Sequence, residues 1–134
     1  MDQLEATLLF ANDTFYVAFA TGDIEAMDEL WAHDVAVSCI HPGGPILLGR
    51  DNVIESWQMI LGNSQTEGIM SHDATAMLNQ DSGWVTCLER IGDNVLTATN
   101  IFRRDNGVWK MTHHQSGLCP AAAPSQEPAA PKAN

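Results

Sequence analysis

Three turn-forming clusters punctuate the second half of the chain, and their spacing constrains the fold more than any other feature. Gln80-Asp81-Ser82-Gly83, Gly92-Asp93-Asn94 and Asp105-Asn106-Gly107 are rich in residues that tolerate positive φ, and they divide residues 66 to 116 into four strand-like runs. Consecutive strands joined by such short turns form an antiparallel meander.

The first half reads differently. Leu4, Leu8, Phe15 and Phe19, with Ala11 and Ala18 between them, follow a helical spacing over residues 2 to 20, and Asp2 with Glu5 forms an N-terminal capping pair. Thr21-Gly22-Asp23 supplies a glycine for a left-handed cap and an aspartate to start a second helix through Met27, Leu30 and Trp31. Val35, Val37, Cys39 and His41 then alternate on one face of a strand, which Pro42-Gly43-Gly44-Pro45 stops. A third helix fits 51 to 61, with Val53, Trp57 and Ile60 on one side and Gly62-Asn63-Ser64 at its end.

Helices followed by a run of strands define an α+β domain over residues 1 to 118, with three helices on one face of a bent antiparallel sheet. The other face needs cover, and a homodimer through that outer face supplies it. Residues 119 to 134, rich in proline and alanine and without a large apolar side chain, are expected to form a flexible tail.

Composition narrows the partners. A formal net charge of -11 repels phosphate backbones and anionic lipid headgroups, so neither nucleic acid nor a membrane is an expected partner. No stretch is apolar for long enough to span a bilayer, and Met1-Asp2-Gln3-Leu4-Glu5 lacks the basic start of a signal peptide, so a cytoplasmic location is expected. Cys39, Cys87 and Cys119 are widely spaced and odd in number, as expected of reduced thiols.

Phe15-Tyr16-Val17-Ala18-Phe19-Ala20-Thr21-Gly22-Asp23 and Leu30-Trp31-Ala32-His33-Asp34 resemble the opening of SnoaL-like and ketosteroid-isomerase-like proteins. The segment 102 to 117, which contains Asp105-Asn106-Gly107-Val108-Trp109-Lys110 and His113-His114-Gln115, resembles the final hairpin of the SnoaL-like subgroup and of the calcium/calmodulin-dependent kinase association domain. The resemblance implies the conical nuclear-transport-factor-2-like (NTF2-like) fold, also called a cystatin-like α+β barrel, with a pocket between the concave sheet face and the helices. It also implies a homo-oligomer. The superfamily spans isomerases, dehydratases, hydrolases and non-catalytic scaffolds, so the fold alone does not choose a chemistry.

Strand parity then nominates site residues. Leu96, Ala98, Asn100 and Phe102 share one face of their strand, and alternation places Trp109, Met111, His113 and Gln115 together on the next. By resemblance these are the concave faces, and Asn100 falls where the isomerases keep a protonated aspartate that donates to an oxyanion. Their general-base aspartate falls at Cys39, or at His41 after a two-residue shift, and their helix tyrosine at Phe15, next to Tyr16. His41, Asn100 and His113 are therefore the catalytic candidates, with His41 or His113 as base and Asn100 as donor. Tyr16, Trp31, Cys39, Trp57 and Met111 are the candidate ligand contacts. His113 and His114 are adjacent in a strand and cannot chelate one metal together, so no metal or cofactor is expected, and His114 is assigned to the outer surface and the dimer interface.

Three functions fit these residues. The first is acid-base isomerase, dehydratase or hydrolase chemistry on a small, largely apolar molecule. The second is binding of such a molecule without chemistry, and the third is a homo-oligomeric association module.

Overall fold

The computed structural model describes residues 2–63 and 68–120. Helix α1, Gln3–Thr21, begins where the Asp2 side chain accepts the Glu5 N–H at 2.8 Å. It ends at Gly22, whose φ of 68° lets its N–H return to the carbonyls of Ala18 and Phe19. One residue later the Asp23 side chain accepts the Ala26 N–H and opens α2, Ile24–Leu30. The expected corner between two capped helices is present.

The strands are β1 Ser38–Ile40, β2 Ile46–Leu48, β3 Met70–Asn79, β4 Ser82–Ile91, β5 Asn94–Asp105 and β6 Val108–Leu118. Helix α3, Arg50–Leu61, lies between β2 and β3. All three expected turns are found. The last, Asn106-Gly107, has positive φ at both residues, as the twist of a two-residue hairpin requires.

The sheet runs in the order β2-β1-β6-β5-β4-β3. It is a curved mixed sheet rather than a purely antiparallel one, because β1 returns parallel to β6 while every other pair is antiparallel. Strand β2 is not signalled by the sequence pattern: three residues between Pro45 and Gly49 are too few to show a period.

Arg50, at the first turn of α3, ties the helical layer together. Its guanidinium donates to the carbonyls of Trp31 and Ala32 at the end of α2 and pairs with Asp28 at 2.7 Å. The helices bury Leu8, Phe15, Phe19, Met27 and Trp57 against Val85, Cys87, Ala98, Phe102, Trp109 and Met111 of the sheet. At Gly83 the packing is close, since a Cβ there would lie 2.7 Å from Leu8 Cδ2 and would force that side chain to shift. Among the described residues no helix is long and apolar enough to cross a membrane.

The register of β6 corrects the parity reading. Ile101 faces His113 but Phe102 faces Met111, so β6 carries one extra residue, Thr112. A bulge of this kind reverses the alternation beyond it. Trp109 and Met111 point inward as expected, but the inward residues that follow are His114 and Ser116, with His113 and Gln115 turned out. The tail from residue 121 onward, and Ser64, lie outside the described residues. Cys119 still packs on the domain, its N–H donating to the Val95 carbonyl.

Candidate functional site

Four elements send polar side chains into the apolar interior. Asn12 and Tyr16 are one helical turn apart on α1, Cys87 and Glu89 alternate on β4, Asn100 comes from β5, and His114 and Ser116 come from β6 past its bulge. Asn100 is at the centre. Its amide nitrogen donates to Asn12 Oδ1 at 2.8 Å and to Tyr16 Oη at 3.2 Å, and its Oδ1 lies 2.5 Å from His114 Nδ1. Tyr16 donates to Glu89 Oε2 at 2.5 Å and accepts from Cys87 Sγ at 3.3 Å.

Counting hydrogens gives this run a direction. The Asn100 amide uses both N–H bonds, so its oxygen accepts and His114 carries its proton on Nδ1, leaving Nε2 with the lone pair. The buried members are hydrogen-bonded to one another, as polar groups in a core must be.

Burial disfavours the charged form of each of these groups. It pushes the Glu89 carboxyl up, against the hydrogen bonds of Tyr16 and Ser116 that pull it down. Burial first, then the neighbouring Glu89 and Cys87, push the Tyr16 phenol up. His114 is lowered to about 3 by burial, with smaller contributions from His41 and His113. The interior is thus a set of hydrogen-bonded donors and acceptors in which burial opposes charge.

His41 stands at the rim, half-buried, and burial lowers its imidazole. Its ring is 4.9 Å from Trp57 and 6.3 Å from His114, centroid to centroid, and its Nε2 is 2.8 Å from Ser56 Oγ on α3. Cys39 Sγ lies 3.6 Å from the same nitrogen. Burial pushes that thiol up to about 12, so it stands there as a thiol and not as an activated nucleophile.

The family profile of the SnoaL-like domain matches residues 9–121. This chain belongs to the SnoaL-like family. Among solved structures, a proposed dehydratase of the NTF2-like family from Streptomyces avermitilis is 30% identical, with 86% of this chain and 95% of that one covered and a TM-score of 0.79. A proposed calcium/calmodulin-dependent protein kinase type II association domain from Thiobacillus denitrificans is also 30% identical, covering 84% and 95% with a TM-score of 0.73. The F-box protein SKIP8 of Arabidopsis thaliana is 29% identical over 113 residues, which are 83% of this chain and 49% of that protein. The chain therefore spans about half the length of that relative.

In this SnoaL-like chain the structure gathers some of the nominated residues and separates others. Asn100 and Tyr16 meet at the centre, Trp57 is within 5.7 Å of the His114 ring, and Cys39 and His41 meet at the rim. His113 does not join them. The bulge turns it to the outer face, where its Nδ1 pairs with Ser38 Oγ at 2.7 Å, and His114, expected at the surface, takes the interior place at 1% exposure. Trp31 and Met111 bridge through their backbones in the apolar wall, one row along the sheet.

Asn12, Glu89 and His114 are site residues that the sequence pattern does not nominate. Glu89 carries a signal: it is the one acid in phase with Val85 and Cys87 on β4. The outward residues Trp84 and Leu88 blur it by making both faces look apolar. A cavity of about 100 Å³ is lined by Ala32, Asp34, Arg103 and Lys110, none of which belongs to the buried run.

Proposed function

We propose that this SnoaL-like protein performs acid-base chemistry on a small, largely apolar molecule, removing a proton beside a carbonyl and expelling water or relocating a double bond. The observation that carries this reading is the buried, directional run from His114 through Asn100 and Tyr16 to Glu89, fronted by half-exposed His41. A polar group placed in a core costs about 1–3 kcal/mol unless it is satisfied, and here Asn12, Tyr16, Glu89, Asn100 and His114 satisfy one another. Likeness to a proposed dehydratase at 30% identity supports the same class.

In this reading His41 is the base, because its lowered imidazole stands neutral at pH 7 beside the interior. The Tyr16 hydroxyl, whose partner is the Glu89 carboxyl, supplies the proton to a developing oxyanion or a departing hydroxyl. Asn100 holds Tyr16 and His114 in place. The test is proton NMR in D₂O on a panel of β-hydroxycarbonyl compounds and cyclic enones. At least one class is expected to exchange its α-proton or lose water, and His41→Ala to slow that by about 10²- to 10⁴-fold. A compound that binds tightly and stays unchanged would replace the enzyme reading with a binding one.

We also infer that two copies pair through the outer sheet face. Met77 lies opposite Trp84, and Trp84 opposite Ile101, an apolar row only partly buried within one chain. The likeness to a proposed association domain points the same way. Sedimentation should show a dimer that Trp84→Glu converts to a monomer. A wild-type monomer at tens of micromolar would remove the idea.

A further inference from the structure

The contact between Ser56 and His41 looks at first like a nucleophile and its base, with 2.8 Å separating Ser56 Oγ from His41 Nε2. The hydrogens do not allow that assignment. A serine hydroxyl has one proton, and Ser56 gives it to the Val53 carbonyl one turn back in α3, at 2.6 Å. A carbonyl cannot donate, so the proton of that bond belongs to Ser56. The 2.8 Å contact must then be filled by a proton on His41 Nε2, with Ser56 Oγ accepting.

The geometry points to Ser56 as a positioning residue that locks His41 in the Nε2–H tautomer and leaves Nδ1 as its basic atom. This rests on the reading of His41 as the base, and it specifies which nitrogen takes the proton. It also removes Ser56 as an acyl-transfer nucleophile, since its proton is directed away from the imidazole and its lone pair is committed to it.

The groups around the ring are consistent with that choice. From β1, Cys39 is a weak donor or acceptor 3.6 Å from Nε2 and 4.0 Å from Nδ1. From α3, Trp57 meets the imidazole in a T-shaped contact at 81°. From β6, neutral His114 lies 6.3 Å away, ring to ring. None of these carries a charge that would favour the opposite tautomer. The Gly44 N–H also holds the His41 carbonyl at 2.8 Å, which fixes the backbone from which the ring projects.

The tautomer can be read without any substrate, from nitrogen-15 NMR of the labelled full chain at pH 7. Wild-type His41 should show a pyrrole-type Nε2 and a pyridine-type Nδ1. Losing one hydrogen bond, about 1 kcal/mol, should shrink that preference by about five- to tenfold in Ser56→Ala, while Ser56→Thr restores it. With an exchanging substrate in hand, Ser56→Ala should lower kcat with little change in KM and move the pH profile, and Ser56→Thr should recover both. A wild-type His41 protonated on Nδ1 overturns the inference, and so does a folded Ser56→Ala with an unaltered tautomer ratio. If Ser56→Ala does not fold, the wild-type spectrum and Ser56→Thr still decide. The expected tautomer together with no exchange in any compound leaves this inference standing and removes only the proposed reaction.

Discussion

Asn100→Leu should lower the free energy of unfolding by about 3 to 5 kcal/mol, read from urea denaturation at pH 7. Leucine has as many side-chain heavy atoms as asparagine and a bulkier end, so no cavity opens, and the loss comes from the missing hydrogen bonds with some overpacking added. The substitution leaves His114 Nδ1–H without its acceptor and Asn12 Oδ1 without its donor, and removes one of the bonds to Tyr16 Oη. All of these atoms belong to residues with 4% exposure or less, so water does not replace the missing partner. Each orphaned buried group costs about 1–3 kcal/mol. Asn100→Asp keeps an acceptor for His114 and should lose less. A fall below about 1 kcal/mol in Asn100→Leu would mean that the run contributes nothing as a unit.

The second large effect is on acid stability. His114 is lowered to about 3 in the folded protein from an ordinary value of 6.5. Between those two values the unfolded chain holds a proton that the folded one refuses, so stability is complete above pH 6.5 and is lost as pH falls toward 3. One group contributes at most about 1.4 kcal/mol per pH unit, which sums over that window to the order of 4 to 5 kcal/mol. Glu89 works in the other direction: its raised carboxyl favours the protonated form, so the folded state gains relative stability as pH drops through its folded value toward 4.5. Comparison with His114→Gln separates the two, because glutamine can donate to Asn100 and does not titrate. Urea denaturation stepped from about pH 7 to about pH 4 should give a slope in wild type that is steeper by nearly one proton than in His114→Gln. Equal slopes would show that His114 does not titrate differently in the folded and unfolded chains.

Much of this site is legible in the sequence, and the rest is not, for a definite reason. Asn100 reads as inward because Leu96, Ala98 and Phe102 share its phase, and the strand holding them is regular throughout. His41 is found through its phase with Val37 and Cys39. Tyr16 lies one position, about 100°, around α1 from Phe15, yet both are buried, and the hydroxyl of Tyr16 reaches the centre. A long aromatic side chain spans more of the interior than a helical-wheel angle suggests.

The sequence by itself determined the capped helical corner at Gly22 and Asp23, the meander of β3 to β6 with its three turns, and the family. Each of these depends on residues close together in the chain, where backbone preference and hydrophobic period act directly. The tertiary structure alone decided the parallel pairing of β1 with β6, which of two adjacent histidines enters the interior, and that the Tyr16 phenol meets the Glu89 carboxyl. Alternation along a strand can be read only while no residue is inserted. The insertion at Thr112 belongs to the pairing of β6 with β5 across a curved sheet, a relation between strands that the pattern of either one alone does not contain.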